Sequence, residues 1–162
     1  MGYRSDVGII VAFDSLDNMR EVLAVYLLDP RVKKYELMQH WDVFRYDTSR
    51  KQYDNLKTDT VYYVKLNEDQ WKWYDGYDDV QGLKHLYELA DKFAEEREGF
   101  NVSWKEVSIG EDGAISAAEN GGDDLQWFCD YMLHYTVPEL YWNNEEDVGN
   151  KEIKITLEKE NA

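Results

Sequence analysis

One cysteine, Cys129, is all the sulfur chemistry the chain offers. That excludes a disulfide framework and a thiolate zinc cluster, and it removes any reason to invoke an oxidising compartment. There is no phosphate-cradling glycine loop, no Gly-x-Ser-x-Gly elbow and no His-Glu-x-x-His. The three histidines, His40, His85 and His134, fall in separate segments without ligand spacing. His134-Tyr-Thr136 matches half of the paired His-x-Thr motif of two-histidine phosphoesterases, but that chemistry needs both imidazoles and the chain has no second copy. No apolar run approaches the roughly 18 residues of a membrane span. The chain reads as a cytoplasmic protein that meets no membrane and needs no cofactor.

Positive charge is absent from Glu106 to Asn150. That stretch holds Glu106, Glu111, Asp112, Glu119, Asp123, Asp124, Asp130, Glu139, Glu145, Glu146 and Asp147, without one Lys or Arg. Most of the net charge of -16 sits there, and it argues against direct binding to nucleic acid, whose phosphates demand clustered Lys and Arg. A field of this sign attracts basic protein surfaces, including those by which proteins grip nucleic acid. The plainer reading is that the charge keeps the protein soluble.

What is present is a core. At 162 residues with 43% hydrophobic and 15% aromatic content, the chain is far from an acidic disordered polymer, and its length suits a single domain. The run from Asp6 to Phe13 (DVGIIVAF) predicts a buried central strand. Asp14 or Ser15 then caps a helix with apolar positions Leu16, Met19, Val22, Leu23, Tyr26 and Leu27, which Asp29 and Pro30 stop. Strands are expected over 37–46 and 60–66, joined by a hairpin loop over 47–59. A second helix is expected from Asp79 to Glu98, with Asp78 and Asp79 capping it and Gly99 ending it. A strand from Phe100 to Ile109 follows. This order is that of an α+β fold with a ferredoxin-like split βαβ core (βαββαβ).

The core occupies residues 1–110 on this reading, and residues 111–162 form an acidic β extension. In that extension Leu125, Trp127, Cys129, Tyr131, Leu133, Tyr135 and Val137 alternate with Gln126, Phe128, Asp130, Met132, His134 and Thr136, which predicts a long strand over 125–137. Ile153, Ile155 and Leu157 predict a final strand, pairing with it as a hairpin.

Candidate sites follow from charge and aromaticity. Asp75, Asp78 and Asp79, in a glycine-containing turn, are hard-oxygen candidates for a divalent metal. They lack the offsets of the twelve-residue calcium loop, and helix capping explains them without an ion. Trp71, Trp73, Tyr74 and Tyr77 read chiefly as core where strand turns into helix, with Trp73 and Tyr77 as apolar anchors if exposed. Cys129 reads as an inert buried thiol. Carboxylates on one face of a strand come about every 6.6 Å, against about 3.4 Å per charge along a DNA strand, so an imitation of DNA needs acids from two adjoining elements. The candidates are Glu111 and Asp112 with Asp123 and Asp124, or Glu145, Glu146 and Asp147 with Glu139.

The opening MGYRSDV, then KWYDGYDDVQ at 72–81, then SIGEDG and GGDDL between Val107 and Leu125, resemble in that order a group of small proteins of tailed bacteriophages and prophages. Beyond Leu125 the chain departs from that group. The resemblance implies a phage origin and supplies no catalytic residues. A small acidic phage protein is expected to be a non-enzymatic inhibitor that occupies the basic surface of a host defence or nucleic-acid-processing factor, imitating nucleic acid. The alternatives are a divalent-metal-dependent enzyme or small-ligand-sequestering protein, and an accessory virion or assembly protein.

Overall fold

A computed structural model describes residues 3–47, 60–136, 139–142 and 151–152, with only the backbone of Asp47, Asp123, Asp124, Lys151 and Glu152. Strand β1 (Ser5–Phe13) leads through helix α1 (Leu16–Tyr26), short helix α2 (Pro30–Lys34) and a 3-10 turn (Leu37–His40) to β2 (Trp41–Asp47). Then come β3 (Thr60–Trp71), α3 (Asp78–Glu96), β4 (Val102–Gly110) and β5 (Ile115–Gly121). Helix α4 (Asp123–Met132) and strands β6 (Leu133–Thr136), β7 (Glu139–Trp142) and β8 (Lys151–Glu152) complete the described elements. One sheet has the order β5-β4-β1-β3-β2-β8 with every neighbouring pair antiparallel, and β6 pairs with β7 separately.

The apolar continuity of β1 has a simple cause: the strand is covered on both faces. Val7, Ile9, Val11 and Phe13 belong to one buried cluster with residues of α1, α2 and α3, while Ile10 and Ala12 belong to another with α4 and β6. Ser15 caps α1, its hydroxyl accepting the Asn18 N–H at 3.3 Å. Met19, Val22, Leu23 and Tyr26 form the buried stripe.

Asp29 and Pro30 do more than end α1, because they begin α2. Asp29 caps it by accepting the Arg31 N–H at 2.8 Å, with Pro30 in the first turn, where its missing N–H costs nothing. The Arg31 guanidinium also grips both Asp29 oxygens, at 3.0 and 2.8 Å. These bonds from Arg31 hold the Asp29 carboxyl at about 2, against burial that works the other way. A carboxylate depressed in the folded state stabilises above its unfolded pKa of about 3.9 and loses that contribution as pH falls through the folded value. Asp29→Asn is therefore expected to lower stability at neutral pH and to flatten the fall in stability between about pH 4 and 2. Urea midpoints across that range test it.

The strand expected over 37–46 starts later, at Trp41. Its first four residues form the 3-10 turn, entered through Glu36 at φ 52°. Of the hairpin loop expected over 47–59, Asp47 is the last residue of β2 and 48–59 lie outside the described residues; the flanking β2 and β3 pair antiparallel from Trp41↔Leu66 to Asp47↔Thr60. Strand β3 runs past Leu66 to Trp71, opposite Ser5. In α3 the N-cap is Tyr77, so Asp78 and Asp79 occupy the first turn instead of capping. Asp79 accepts the Val80 N–H at 2.8 Å and the Trp71 Nε1–H at 3.2 Å. The helix ends at Glu96, ahead of Gly99 with φ 80°.

The long strand expected over 125–137 is instead α4 followed by the short β6. Leu125, Phe128, Cys129 and Met132 are all buried, which is helical spacing, whereas Trp127 and Tyr131 are only half-buried. Strand β6 pairs with β7 from Leu133↔Trp142 to Thr136↔Glu139. Residues 153–157 lie outside the described residues, and β8 just before them pairs with β2 at Phe44 and Arg45. Among the described residues the acidic third thus extends the sheet through β5 and β8, while α4 and β6–β7 roof its second face. Gly8 makes room for that roof: a Cβ there would stand 3.0 to 3.2 Å from Leu133, Leu140 and Trp142. Among the described residues no helix is long and apolar enough to cross a membrane.

Candidate functional site

Period-2 alternation along β4 sends Trp104, Glu106 and Ser108 to the side of α3, while Val107 and Ile109 face α4. Their partners on β5 are Asn120, Ala118 and Ser116. Above them the α3 positions Lys84, Glu88, Asp91 and Glu95 follow helical spacing and form one stripe. A groove therefore runs between α3 and the outermost strand, with a cleft at each end.

The larger cleft, about 400 Å³, is lined by Tyr3, Trp73, Lys84, Glu106, Ser108 and Ser116 among others. Glu106 is buried at its floor and accepts the Tyr87 hydroxyl proton at 2.6 Å. Lys84 stands 2.8 Å from Asp75 and 3.6 Å from Glu106. Burial works against the Lys84 ammonium, yet Asp75 and Glu106 outweigh it and raise its pKa. Burial, then the Glu106 charge, pushes the Tyr87 phenol far above its ordinary range. Lysine stays charged and tyrosine neutral at any physiological pH.

The smaller cleft, about 240 Å³, lies where β5 ends, with Asp91, Glu95, Asn120 and Gly121 in its wall and, among the described residues, no Lys or Arg. Asp91 is held by Trp104, whose Nε1–H donates to both carboxylate oxygens at 3.0 Å, and by Asn120 Nδ2 at 3.0 Å. The Trp104 ring lies 3.8 Å from that of Tyr87, which joins the two clefts through a stacked pair.

Among the described residues strand β5 is an open edge. Among the described residues β4 is its one neighbour, and Ser116 to Gly121 are exposed. Its sequence ISAAENG carries no Lys or Pro, and its register with β4 runs without a bulge, so of the usual devices that keep edges from pairing it has the charge of Glu119.

The residues singled out from sequence fall in several places. Glu111 and Asp112 form the β4–β5 turn and fasten the N-terminal segment: Glu111 accepts the Arg4 N–H at 3.1 Å, and Asp112 accepts the Tyr3 hydroxyl and the Ala114 N–H. That Tyr3 bond lowers the Asp112 pKa and raises that of Tyr3. Asp123 and Asp124 open α4 close behind β5, while Glu145, Glu146 and Asp147 lie outside the described residues. Trp73 is half-buried, packs against the helix-side core and borders the larger cleft, whereas Tyr77 is 46% exposed and rests edge-on against Tyr74.

Asp75 pairs with Lys84, Asp79 bonds Trp71 and Val80, and Asp78 is exposed. Among the described residues no three His, Cys, Asp or Glu side chains are grouped to hold a metal ion. Lys84, Tyr87, Asp91, Glu95 and β5 were not singled out from sequence; the one available sign was the helical spacing of the α3 stripe. Comparison of the chain with protein-family models, curated proteins and solved structures returns no match.

Proposed function

We propose that this is a non-enzymatic protein-binding module, phage-encoded, that docks its acidic surface on the basic, nucleic-acid-gripping surface of a host defence or processing factor. The observation that carries the reading is the coincidence of the cation-free stretch Glu106–Asn150 with the open edge of β5, flanked by Asp91 and Glu95 on α3 and by the start of α4. Opposite charge steers such an encounter, and an unpaired edge can fix it. The short motifs MGYRSDV, KWYDGYDDVQ, SIGEDG and GGDDL, read as a resemblance to small phage proteins, are the ground for proposing a phage origin and a host target. Within the same reading the first six major elements make a ferredoxin-like core, supported by the strand order β4-β1-β3-β2 with all neighbours antiparallel.

The test is capture from bacterial lysate at about 0.1 M and about 0.5 M salt, since screening weakens exposed charge pairs. One nucleic-acid enzyme or defence protein should be recovered at low salt and lost at high salt. Asp123→Lys with Asp124→Lys should reduce its recovery at least tenfold. Unchanged recovery after reversing these two together with Glu111 and Asp112 would sink the reading.

A second reading, sequestration of a small ligand, is favoured by the 400 Å³ cleft with Lys84 and Glu106 at its floor. Its sign would be a rise in melting temperature with a small polar compound, by mass action on the folded state.

A further inference from the structure

We propose that the outer edge of β5 takes an extended segment of another protein as a further antiparallel strand, reading two of its side chains four residues apart. A basic side chain enters the Asp91–Glu95 cleft, and an uncharged hydrogen-bonding side chain enters the Lys84–Glu106 cleft. This rests on the protein-binding reading above and names its docking element.

The backbone supplies the register. The Gly110 N–H bonds the Ala114 carbonyl at 2.8 Å, at the start of the β4–β5 ladder. Antiparallel alternation then turns the N–H and C=O groups of Ile115, Ala117 and Glu119 away from β4, toward the open edge. A strand laid there shares the pleat of β5, so every second side chain points to the groove beneath α3. Ser116 borders the larger cleft and Asn120 the smaller, four residues or about 13 Å apart, with the small Ala118 between them. The two incoming residues opposite Ser116 and Asn120 therefore meet the two clefts.

The clefts differ in charge, and the difference sets the pattern. The smaller has Asp91 and Glu95 without a lining cation among the described residues and attracts Lys or Arg. In the larger, Lys84 already lies between Asp75 and Glu106, so an added charge of either sign meets its like, and a glutamine-like side chain suits it. Antiparallel direction puts the basic residue first. A second copy of this chain fits poorly, because pairing two β5 edges would bring two charges of -16 together.

The experiment titrates the ¹⁵N-labelled chain with a blocked seven-residue peptide of alternating Thr and Val, carrying Lys at position 2 and Gln at position 6. Amide shifts should concentrate on Ile115–Asn120. Lys→Glu at position 2 should weaken binding at least tenfold, and exchanging Lys with Gln should weaken it as well. Methylating the peptide nitrogens of residues 3 and 5, which face Glu119 and Ala117 in that order, should abolish binding. So should Ala117→Pro in the protein, which removes an N–H on the open side, where an edge strand tolerates proline.

Equal affinity for the methylated peptide overturns the proposal, whether or not Ala117→Pro folds. Shifts mapping to α4 or the β6–β7 hairpin overturn it too. A dimer that Ala117→Pro dissolves would assign the edge to a second copy instead. If acidic reversal abolishes salt-sensitive capture while the peptide test fails, the binding module stands and strand addition falls; if both fail, both fall.

Discussion

Phe128→Ala is expected to lower the unfolding free energy by about 3–5 kcal/mol, the range for truncating a fully buried aromatic side chain. Phe128 has no exposed surface, and its ring meets those of Tyr46 and Tyr63 with centroids at 4.8 and 5.2 Å, in the layer between α4 and the sheet. The cavity left would be walled by a sheet whose other face is also packed, so little collapse can fill it. The comparison with Trp127→Ala gives the experiment its edge. In a strand the alternation would bury Trp127 and expose Phe128; in α4 Phe128 is inside and Trp127 lies half-buried in a stack with Tyr131. Urea unfolding of both variants should show the larger loss at Phe128, and the reverse order would restore the strand.

The second large effect is expected at the floor of the groove, where Tyr87→Phe should cost about 1.5–3 kcal/mol, as for lost hydrogen bonds to charged groups. Glu106→Gln should cost less. Both changes weaken the same 2.6 Å bond, but the first leaves a carboxylate buried with Lys84 at 3.6 Å, while the second removes the charge and keeps an acceptor for the hydroxyl. A buried carboxylate that has lost its hydrogen bond and keeps only Lys84 is the more expensive state, so the order of the two losses separates a charge-assisted network from an ordinary hydrogen bond. Denaturant unfolding at pH 7 measures it, and a larger loss for Glu106→Gln would mean that the carboxylate is better hydrated than its burial implies.

Sequence pattern made the helix-side half of the fold legible. Strands β1 and β3 carry dense branched and aromatic residues, and α1 and α3 have clean apolar stripes with a cap or a first-turn acid pair. The other half was hidden for two physical reasons. In 125–133 the large apolar residues Leu125, Trp127, Phe128, Cys129, Tyr131, Met132 and Leu133 are so dense that both a two-residue and a 3.6-residue period fit, and only tertiary packing decides. In β5 one isoleucine leads small and polar residues with low strand propensity, held by β4 and not by their own preference. The groove was hidden by distance along the chain. Lys84 meets Glu106, and Asp91 meets Trp104 and Asn120, because α3 lies across β4, whereas the conspicuous acids at 111 and 112 use their carboxylates on Tyr3, Arg4 and the turn.

Cys129 packs among Ile10, Ala12 and Val107 with no exposed surface, and burial pushes its thiol far above the ordinary range. Since the chain holds no other cysteine, it is already the background that site-specific labelling requires. A cysteine placed at exposed Ala118 would be the one thiol open to a maleimide fluorophore under native conditions. Emission from that position would report directly on whatever comes to lie along the edge of the sheet.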